Sequence, residues 1–334
     1  MNKRALRADI LLLLTAGIWG FGFVAQRSGM EYTGPFAFNG IRFMLGSLSL
    51  LPLILWRKSV LRRGAAGSTK KWCLYSLAAG SCLFIAVILQ QFGIMFTTAG
   101  NAGFITGLYV VLTPIFGIFL GRKTGPATWL GSVFTVAGLY FISAAGNLDS
   151  INPGDIITVV SAVFWACHVL LIDRLVRDID PIALSAGQFT VCGLLMLIGA
   201  FLAEPFISPL VGRINPALLE AGTFAWLPFP ALLAGLSAHT VAFPVGALVP
   251  ILYGGLGSVG IAYTLQVVAQ RDAPPAHATI ILCFEGCFAA FGGALLLAEK
   301  IGYWTLLGFI LMLAGMLVTQ WEVIAQKSKV SPEH

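Results

Sequence analysis

Long stretches without a charged side chain are the feature that most constrains the fold of this chain. Residues 72–121 and 221–270 contain no Asp, Glu, Lys or Arg. About a quarter of the residues in a soluble domain are charged, whereas here 10% are charged and 58% are hydrophobic. About 20 apolar residues in a helix cross the hydrocarbon core of a bilayer, because backbone amides cannot stay unpaired in lipid. The pattern therefore predicts an all-α integral membrane protein.

Charges, prolines and polar turns divide the chain into ten apolar segments, which we interpret as transmembrane helices. The expected spans are 10–26, 34–56, 72–96, 99–120, 127–146, 155–172, 181–203, 245–269, 276–298 and 304–321. Residues 204–244 hold six prolines, too many for a straight spanning helix. We expect an extended external loop there, with an interfacial or re-entrant piece, and an eleventh span remains an alternative.

The basic residues predict the orientation in the membrane. With the N-terminus in the cytoplasm, sixteen of the twenty Lys and Arg residues fall in cytoplasmic segments. The positive-inside rule then places both termini in the cytoplasm. The basic run 57–71 is typical of juxtamembrane segments that contact anionic lipid, so we expect no nucleic-acid partner from the net charge of +6.

The sequence contains an internal repeat. Corresponding residues at a shift of 146 are Trp19 and Trp165, Pro35 and Pro181, and Phe43 and Phe189, and at a shift of 176 Gln90 corresponds to Gln266. The expected halves are residues 1–150 with helices 1–5 and residues 151–325 with helices 6–10. Five spans is an odd number, so the second half enters the membrane from the opposite face. Inverted repeats suit alternating access around a site near the midplane; a duplication without mechanistic use is the alternative.

Several segments resemble one family of membrane proteins. "IWGFGFVAQR", "TTAGNAGFITGLYVVLTPIFG" and "YTLQVVAQRDAPPAHATIILCFEGCFAAFGGALLLAEKI" are similar to EamA-type transporters of the drug/metabolite transporter superfamily, and the likeness covers about 10–200 and 245–321. The resemblance implies a permease of the bacterial inner membrane, commonly an exporter of amino acids, other metabolites or toxic compounds. Where the family often has Glu-Pro, this chain has Glu285-Gly286, which would remove a kink in the ninth helix.

Two charged residues lie at mid-depth of expected spans. Arg42 lies in the second span, and Asn39 precedes it by one turn as a candidate orienting partner. Glu285 is the only carboxylate deep within a span. Such residues are costly in lipid and should face the bundle interior. In one hypothesis, Arg42 and Glu285 share an ion-pair network that locks the structure. In the other, Glu285 couples transport to protons and Arg42 binds a carboxylate or phosphate of the solute.

Other polar and aromatic residues at mid-depth are candidates for solute contact. They are the symmetry-related Trp19 and Trp165, the amides Gln90 and Gln266, and the weaker candidates Tyr109 and Tyr263. A tryptophan normally prefers the membrane interface, so a midplane position favours a cavity over core packing. Hydrogen bonding between helices is an equal alternative for the amides.

The sequence contains no H-E-x-x-H, G-x-S-x-G or P-loop motif. The segment "GGLGSVG" (254–260) contains G-x-G-x-x-G, but it lies inside an apolar span and not between a strand and a helix, where a dinucleotide site needs it. We therefore expect a secondary transporter for a small-molecule substrate, driven by an ion gradient with protons as the candidate coupling ion, and we expect no cofactor. The pair Cys283 and Cys287 lacks the further ligands that a zinc site needs. A membrane-embedded sensor or scaffold, or a lipid-processing enzyme, is the alternative function.

Overall fold

Every secondary-structure element of the described residues is a helix. The structure is a computed structural model that describes residues 3–30, 32–56, 69–96, 99–143, 153–203, 245–296 and 302–330. The helices are α1 Lys3–Gly29, α2 Pro35–Trp56, α3 Thr69–Phe96, α4 Ala99–Gly107, α5 Tyr109–Phe119, α6 Pro126–Ser143, α7 Pro153–Leu175, α8 Pro181–Leu202, α9 Val245–Leu252, a π-helix Tyr253–Tyr263, α10 Thr264–Ala269, α11 Pro275–Leu282, α12 Glu285–Leu296 and α13 Tyr303–Val330.

These helices form the ten spans that the sequence predicts. Three spans are composite: α4 with α5, α9 with the π-helix and α10, and α11 with α12. Seven helical segments of the described chain are long and apolar enough to cross a membrane unaided. The all-α membrane fold is therefore confirmed. The predicted boundary at residue 150 and the predicted loop 204–244 lie outside the described residues.

Helix packing repeats between the two halves of the chain. Helix α2 packs against α8, and α6 against α13, and each pair joins the corresponding helices of the two halves. Helix α1 packs against α12 as α7 packs against α4 and α5. The halves are thus interlocked around an approximate two-fold axis, as expected for inverted repeats.

Glycines bring α6 and α13 close together in a two-fold arrangement. A β-carbon on Gly131 would lie 2.8 Å from the Gly315 carbonyl oxygen, and one on Gly138 would lie 2.6 Å from the Gly308 carbonyl oxygen. A side chain at either position would separate the helices, because backbone atoms block the space. The repeat relates Gly131 to Gly308 and Gly138 to Gly315. It therefore converts each of the two contacts into the other.

The fourth and ninth spans are interrupted at equivalent points. Helix α4 ends at Gly107 and α5 begins at Tyr109, while α11 ends at Leu282 and α12 begins at Glu285. The Leu108 amide donates to the Ile105 carbonyl, and the Phe284 amide to the Ile281 carbonyl, which are the three-residue bonds of a tightened turn. The expectation that Glu285-Gly286 removes the kink is therefore wrong, since the interruption forms without proline. Tyr109 and Glu285 each begin the second part of a broken span.

Candidate functional site

One cavity lies where the interrupted spans meet the first helices of both halves. It contains about 460 Å³ of space not filled by atoms, a figure that includes space open to solvent. Its lining residues are Trp19, Phe23, Gln26, Arg42, Gln90, Thr106, Tyr109, Trp165, Val169, Ser258, Tyr263, Gln266, Leu282 and Glu285. Eight of the nine residues that the sequence singled out therefore surround the same space, and Asn39 is the ninth.

Arg42 is held by oxygen atoms of neutral side chains. Its Nε donates to Asn39 Oδ1 at 2.8 Å, and an Nη donates to Gln26 Oε1 at 3.4 Å. The guanidinium carbon lies 5.6 Å from the Phe38 ring centre and 5.2 Å from the Phe43 ring centre, distances at which an aromatic face attracts a cation. Arg42 is only 2% exposed. Two of its five N–H donors are used by described residues, so three remain for the cavity.

Asn39 orients Arg42 rather than lining the cavity. Its amide nitrogen donates to the Pro35 carbonyl at 2.7 Å and reaches Gln91 Oε1 at 3.3 Å. These bonds turn the Asn39 carbonyl oxygen towards Arg42 Nε. Asn39 thus contacts Arg42 from one helical turn earlier, as the sequence predicted. The contact lies behind the cavity wall.

Glu285 lines the cavity beside the Tyr109 hydroxyl of the other interrupted span. It is 4% exposed, and the Tyr109 hydroxyl is close enough to interact with its carboxyl. The Tyr109 hydroxyl makes no hydrogen bond of regular distance and angle with a described residue. The Cys283 thiol donates to the Gly107 carbonyl at 3.3 Å and joins the two interruptions. Tyr109 and Glu285 correspond under the shift of 176, which places them on either side of the approximate axis.

Arg42 and Glu285 do not form the direct ion pair of the first hypothesis. Among the described residues no carboxylate lies within 4.0 Å of the Arg42 guanidinium, and no cation lies within that distance of Glu285. Both charged groups line the same cavity. The cavity therefore offers a cation and a carboxyl at separate places.

Aromatic rings form the wall between the two halves. The Tyr263 ring lies 4.5 Å from Trp19 and 6.0 Å from Trp165, centre to centre. It also lies 5.8 Å from Phe43 and 5.9 Å from Phe189. The pairs Trp19/Trp165 and Phe43/Phe189 are each related by the repeat, so Tyr263 is a shared centre for equivalent rings of both halves.

The two predicted amides, Gln90 and Gln266, differ in their hydrogen bonding. Gln90 donates to the Thr106 hydroxyl at 3.1 Å, which is the helix–helix bonding kept as an alternative for it. Gln266 is fully buried, and neither atom of its amide has a partner among the described residues. Gln266 is therefore the stronger candidate for contact with a solute.

Sequence reasoning missed Gln26, Phe23 and Ser258. Gln26 and Phe23 follow Trp19 by seven and four residues, a spacing that puts all three on one helix face. That periodicity would have identified them. Ser258 lies in the π-helix, where its carbonyl accepts a hydrogen bond from the Trp19 indole at 3.3 Å. No sequence signal predicts the widened helix, which often marks functional sites.

Polar contacts join the two halves at the end of the bundle that carries Arg122, Asp173, Arg177 and Asp178, here named the basic end. Arg122 pairs with Asp173, which is 2% exposed, and Arg177 lies 3.4 Å from the same carboxylate. His277 and Asp9 approach to 2.8 Å.

Asp178 makes a further contact at the basic end. Lys71 lies 3.0 Å from its carboxylate, and the Tyr75 hydroxyl donates to it at 2.9 Å. The hydrogen bond from Lys71, followed by that from Tyr75, lowers the pKa of Asp178 below its ordinary value. Since that pKa is lowered, the contact is complete above about pH 4 and weakens only as the pH falls further.

Ten helical spans in two inverted halves, with a central cavity of mixed polarity, define a multi-pass membrane protein of the transporter class. The chain belongs to the EamA-like transporter family, whose model matches residues 6–144, 152–243 and 221–321. The resemblance seen in the sequence is thereby confirmed, and the protein is a membrane transporter.

Several proteins are similar to this chain over much of its length. A protein of Archaeoglobus fulgidus described as an uncharacterized transporter is 24% identical, over 94% of this chain and 97% of its own length. The uncharacterized transporter YvbV of Bacillus subtilis is 27% identical over 71% and 78% of the two chains. The uncharacterized inner membrane transporter YedA of Escherichia coli is 24% identical over 56% and 59%. One solved structure shares the fold, with a TM-score of 0.68 and 17% identity over 96% of this chain and 98% of that one.

Proposed function

We propose that the protein is a secondary transporter that exports small zwitterionic metabolites such as amino acids by alternating access. The observation that carries the proposal is that Arg42 and Glu285, both buried and without an ion partner among the described residues, line one cavity. A buried charge without a partner is expensive, and an amphoteric solute would offset the cost at both places. Arg42 would hold the carboxylate of the solute, and Glu285 would bind its ammonium group or a proton.

The remaining cavity wall suits the rest of such a solute. Trp19, Trp165 and Tyr263 present aromatic faces, which favour an apolar or aromatic side chain and attract a cation.

Proton coupling follows from the same position of Glu285. A carboxyl that faces a closed cavity of low dielectric without a cation is more stable when protonated, and one that faces water or an ammonium group is more stable when ionised. Exchange between those surroundings during alternating access would move a proton in the direction opposite to the solute. Asp178 stays ionised above about pH 4, so it would not contribute to coupling near neutral pH.

The orientation proposed here places the basic end in the cytoplasm. The rule that cytoplasmic segments are rich in Lys and Arg supports this orientation with both termini inside, and the similarity to an inner membrane transporter of Escherichia coli supports the bacterial inner membrane. The two repeats are proposed to divide near residue 150. A reporter fused to the C-terminus, active only in the cytoplasm, tests the orientation.

Transport in proteoliposomes with an imposed pH gradient tests the function. The solutes are the protein amino acids, together with the amide and the N-acetyl form of each one that is carried. The variants are Arg42→Gln and Glu285→Gln, and the control is Cys287→Ala, since Cys287 is close to Glu285 on α12 and bonds to Met312 outside the cavity wall.

The two variants should fail in different ways. A hydrogen bond to a charged group is worth about 1.5–3 kcal/mol, which is about 10- to 150-fold in affinity. Arg42→Gln should therefore lose the preference for the free acid over the amide, and Glu285→Gln should lose both the preference for the free amine and the effect of the pH gradient. If folded wild-type protein carries none of these solutes, the proposed substrate class is wrong. If both variants retain the wild-type preferences, Arg42 and Glu285 are structural.

A further inference from the structure

A group of buried amide and imidazole side chains lies beside the cavity towards the basic end. His168 and Gln188 are fully buried, with His168 Nε2 and Gln188 Oε1 2.9 Å apart. Trp165, one turn before His168, has its ring centre 6.0 Å from the imidazole and also lines the cavity. Gln270 donates to the carbonyl of Val169 at 3.1 Å, and Gln266 precedes it by one turn. The group is therefore continuous with the cavity wall.

Most hydrogen-bonding atoms of this group have no partner among the described residues. They are Trp165 Nε1, His168 Nδ1, Gln188 Nε2, both amide atoms of Gln266 and Gln270 Oε1. Buried polar atoms are nearly always paired with protein, water or a ligand. A concentration of unpaired donors and acceptors at one place therefore suits a ligand that carries complementary hydrogen-bonding groups. The group carries both kinds of atom and no carboxylate or guanidinium, so its occupant should be bound through neutral hydrogen bonds.

The repeat relates this group to the surroundings of Arg42. The shift of 146 carries Arg42 to Gln188, Asn39 to Ser185 and Gly22 to His168. Ser185, like Gln188, has an unpaired polar atom. The two groups are thus inverted copies, one with a fixed charge and one without.

The two copies lie on opposite sides of the membrane midplane. Arg42 is the eighth residue of α2 and Gln188 is the eighth of α8, both helices having 22 residues. At 1.5 Å per residue each is about 5 Å from the middle of its helix. Because the helices run in opposite directions, Gln188 is displaced towards the basic end and Arg42 away from it.

We propose that His168, Gln188 and Gln266 form a second solute subsite, here named the inner subsite, which binds the carboxylate or other hydrogen-bonding groups of the solute when the cavity opens to the basic end. This inference rests on the proposed transport function. Neutral donors bind a carboxylate more weakly than a guanidinium does. The solute should therefore bind about tenfold more weakly from the basic end than from the opposite side, which favours release from the inner subsite over rebinding there.

Cysteine accessibility tests the inner subsite without knowledge of the solute. Gln188→Cys and Gln266→Cys are made separately after the six native cysteines are replaced. The charged, membrane-impermeant reagent methanethiosulfonate ethyltrimethylammonium is applied to inside-out and right-side-out vesicles. Ser76→Cys is the matched control, since Ser76 is a buried residue with an unpaired hydroxyl that packs against Gly187 away from the cavity.

The expected result is modification of both variants from the basic end at a rate about tenfold above that of Ser76→Cys. The rate should fall when the transported member of the twenty protein amino acids is added. His168→Cys replaces Gln188→Cys if the latter does not fold.

Two results would overturn the proposal. Reaction rates equal to that of Ser76→Cys in folded protein would show that the group is packed helix interface. Access without protection by an amino acid that the wild-type protein carries in the proteoliposome assay would show an aqueous passage that binds no solute. The rate measurement needs no transport, so its failure is distinguishable from failure of the proposed function.

Discussion

Replacing Gly20 by alanine tests the packing that sets the position of Glu285. Gly20 lies where α1 crosses the first turn of α12. A β-carbon there would lie 2.3 Å from the Phe288 β-carbon, 2.7 Å from the Glu285 carbonyl oxygen and 2.8 Å from the Ala289 amide nitrogen. Two of these atoms belong to the backbone, so rotation of a side chain cannot relieve the overlap. The helices must separate by about 1 Å to restore normal contact distances.

The energetic consequence can be worked out from that overlap. Overpacking costs about 1–3 kcal/mol, and the backbone contacts place Gly20→Ala near the upper value. The higher helix propensity of alanine offsets about 1 kcal/mol. We expect this conformation to lose about 1–2 kcal/mol of stability, which changes its population relative to another conformation about 5- to 30-fold.

Gly17→Ala is the matched control for this substitution. Gly17 lies one turn earlier on the same face of α1, and a β-carbon there would be 3.8 Å from the nearest atom, in the Phe288 ring. The measurements are the thermal unfolding of the purified protein in detergent and the transport rate. We expect Gly20→Ala to unfold at a lower temperature and to transport at a changed rate, while Gly17→Ala resembles the wild type. Equal behaviour of the two variants would refute the argument.

Two further experiments test the aromatic wall and the basic end. Tyr263→Leu removes a ring shared by four aromatic neighbours and should cost about 2–4 kcal/mol of unfolding free energy, whereas Tyr263→Phe should stay within about 1 kcal/mol of the wild type; equal losses would contradict the packing role. A double-mutant cycle of Arg122→Gln with Asp173→Asn should give a coupling of about 0.5–2 kcal/mol in thermal stability. A coupling near zero, as expected for the exposed pair Arg174 and Asp178, would show that the contact does not hold the halves together.

Many of the residues that line the cavity could be predicted from the sequence, because polar side chains are costly in lipid. Arg42, Glu285 and Gln266 lie at mid-depth of apolar segments, where only the interior of the bundle can accommodate them. The internal repeat also identified Trp19 and Trp165 as candidates, because they lie at corresponding mid-depth positions of the two halves. Their meeting in one cavity follows from the inverted arrangement of the spans.

The contacts within the cavity were not predictable from the pattern. The sequence offered Glu285 as the obvious counterion of Arg42, but the guanidinium instead bonds Asn39 and Gln26. Mid-depth placement fixes only the level of a side chain in the membrane, and the rotation of each helix decides which groups face each other. Those rotations depend on close contacts such as that at Gly20.

The sequence by itself predicted ten apolar spans in two inverted halves, because the cost of unpaired amides and charges in lipid acts on each segment separately. Only the tertiary structure decided the interruptions before Tyr109 and Glu285, the π-helix at Tyr253–Tyr263 and the separation of Arg42 from Glu285. These features depend on helices from both halves packed at van der Waals distance, and no single segment carries that information.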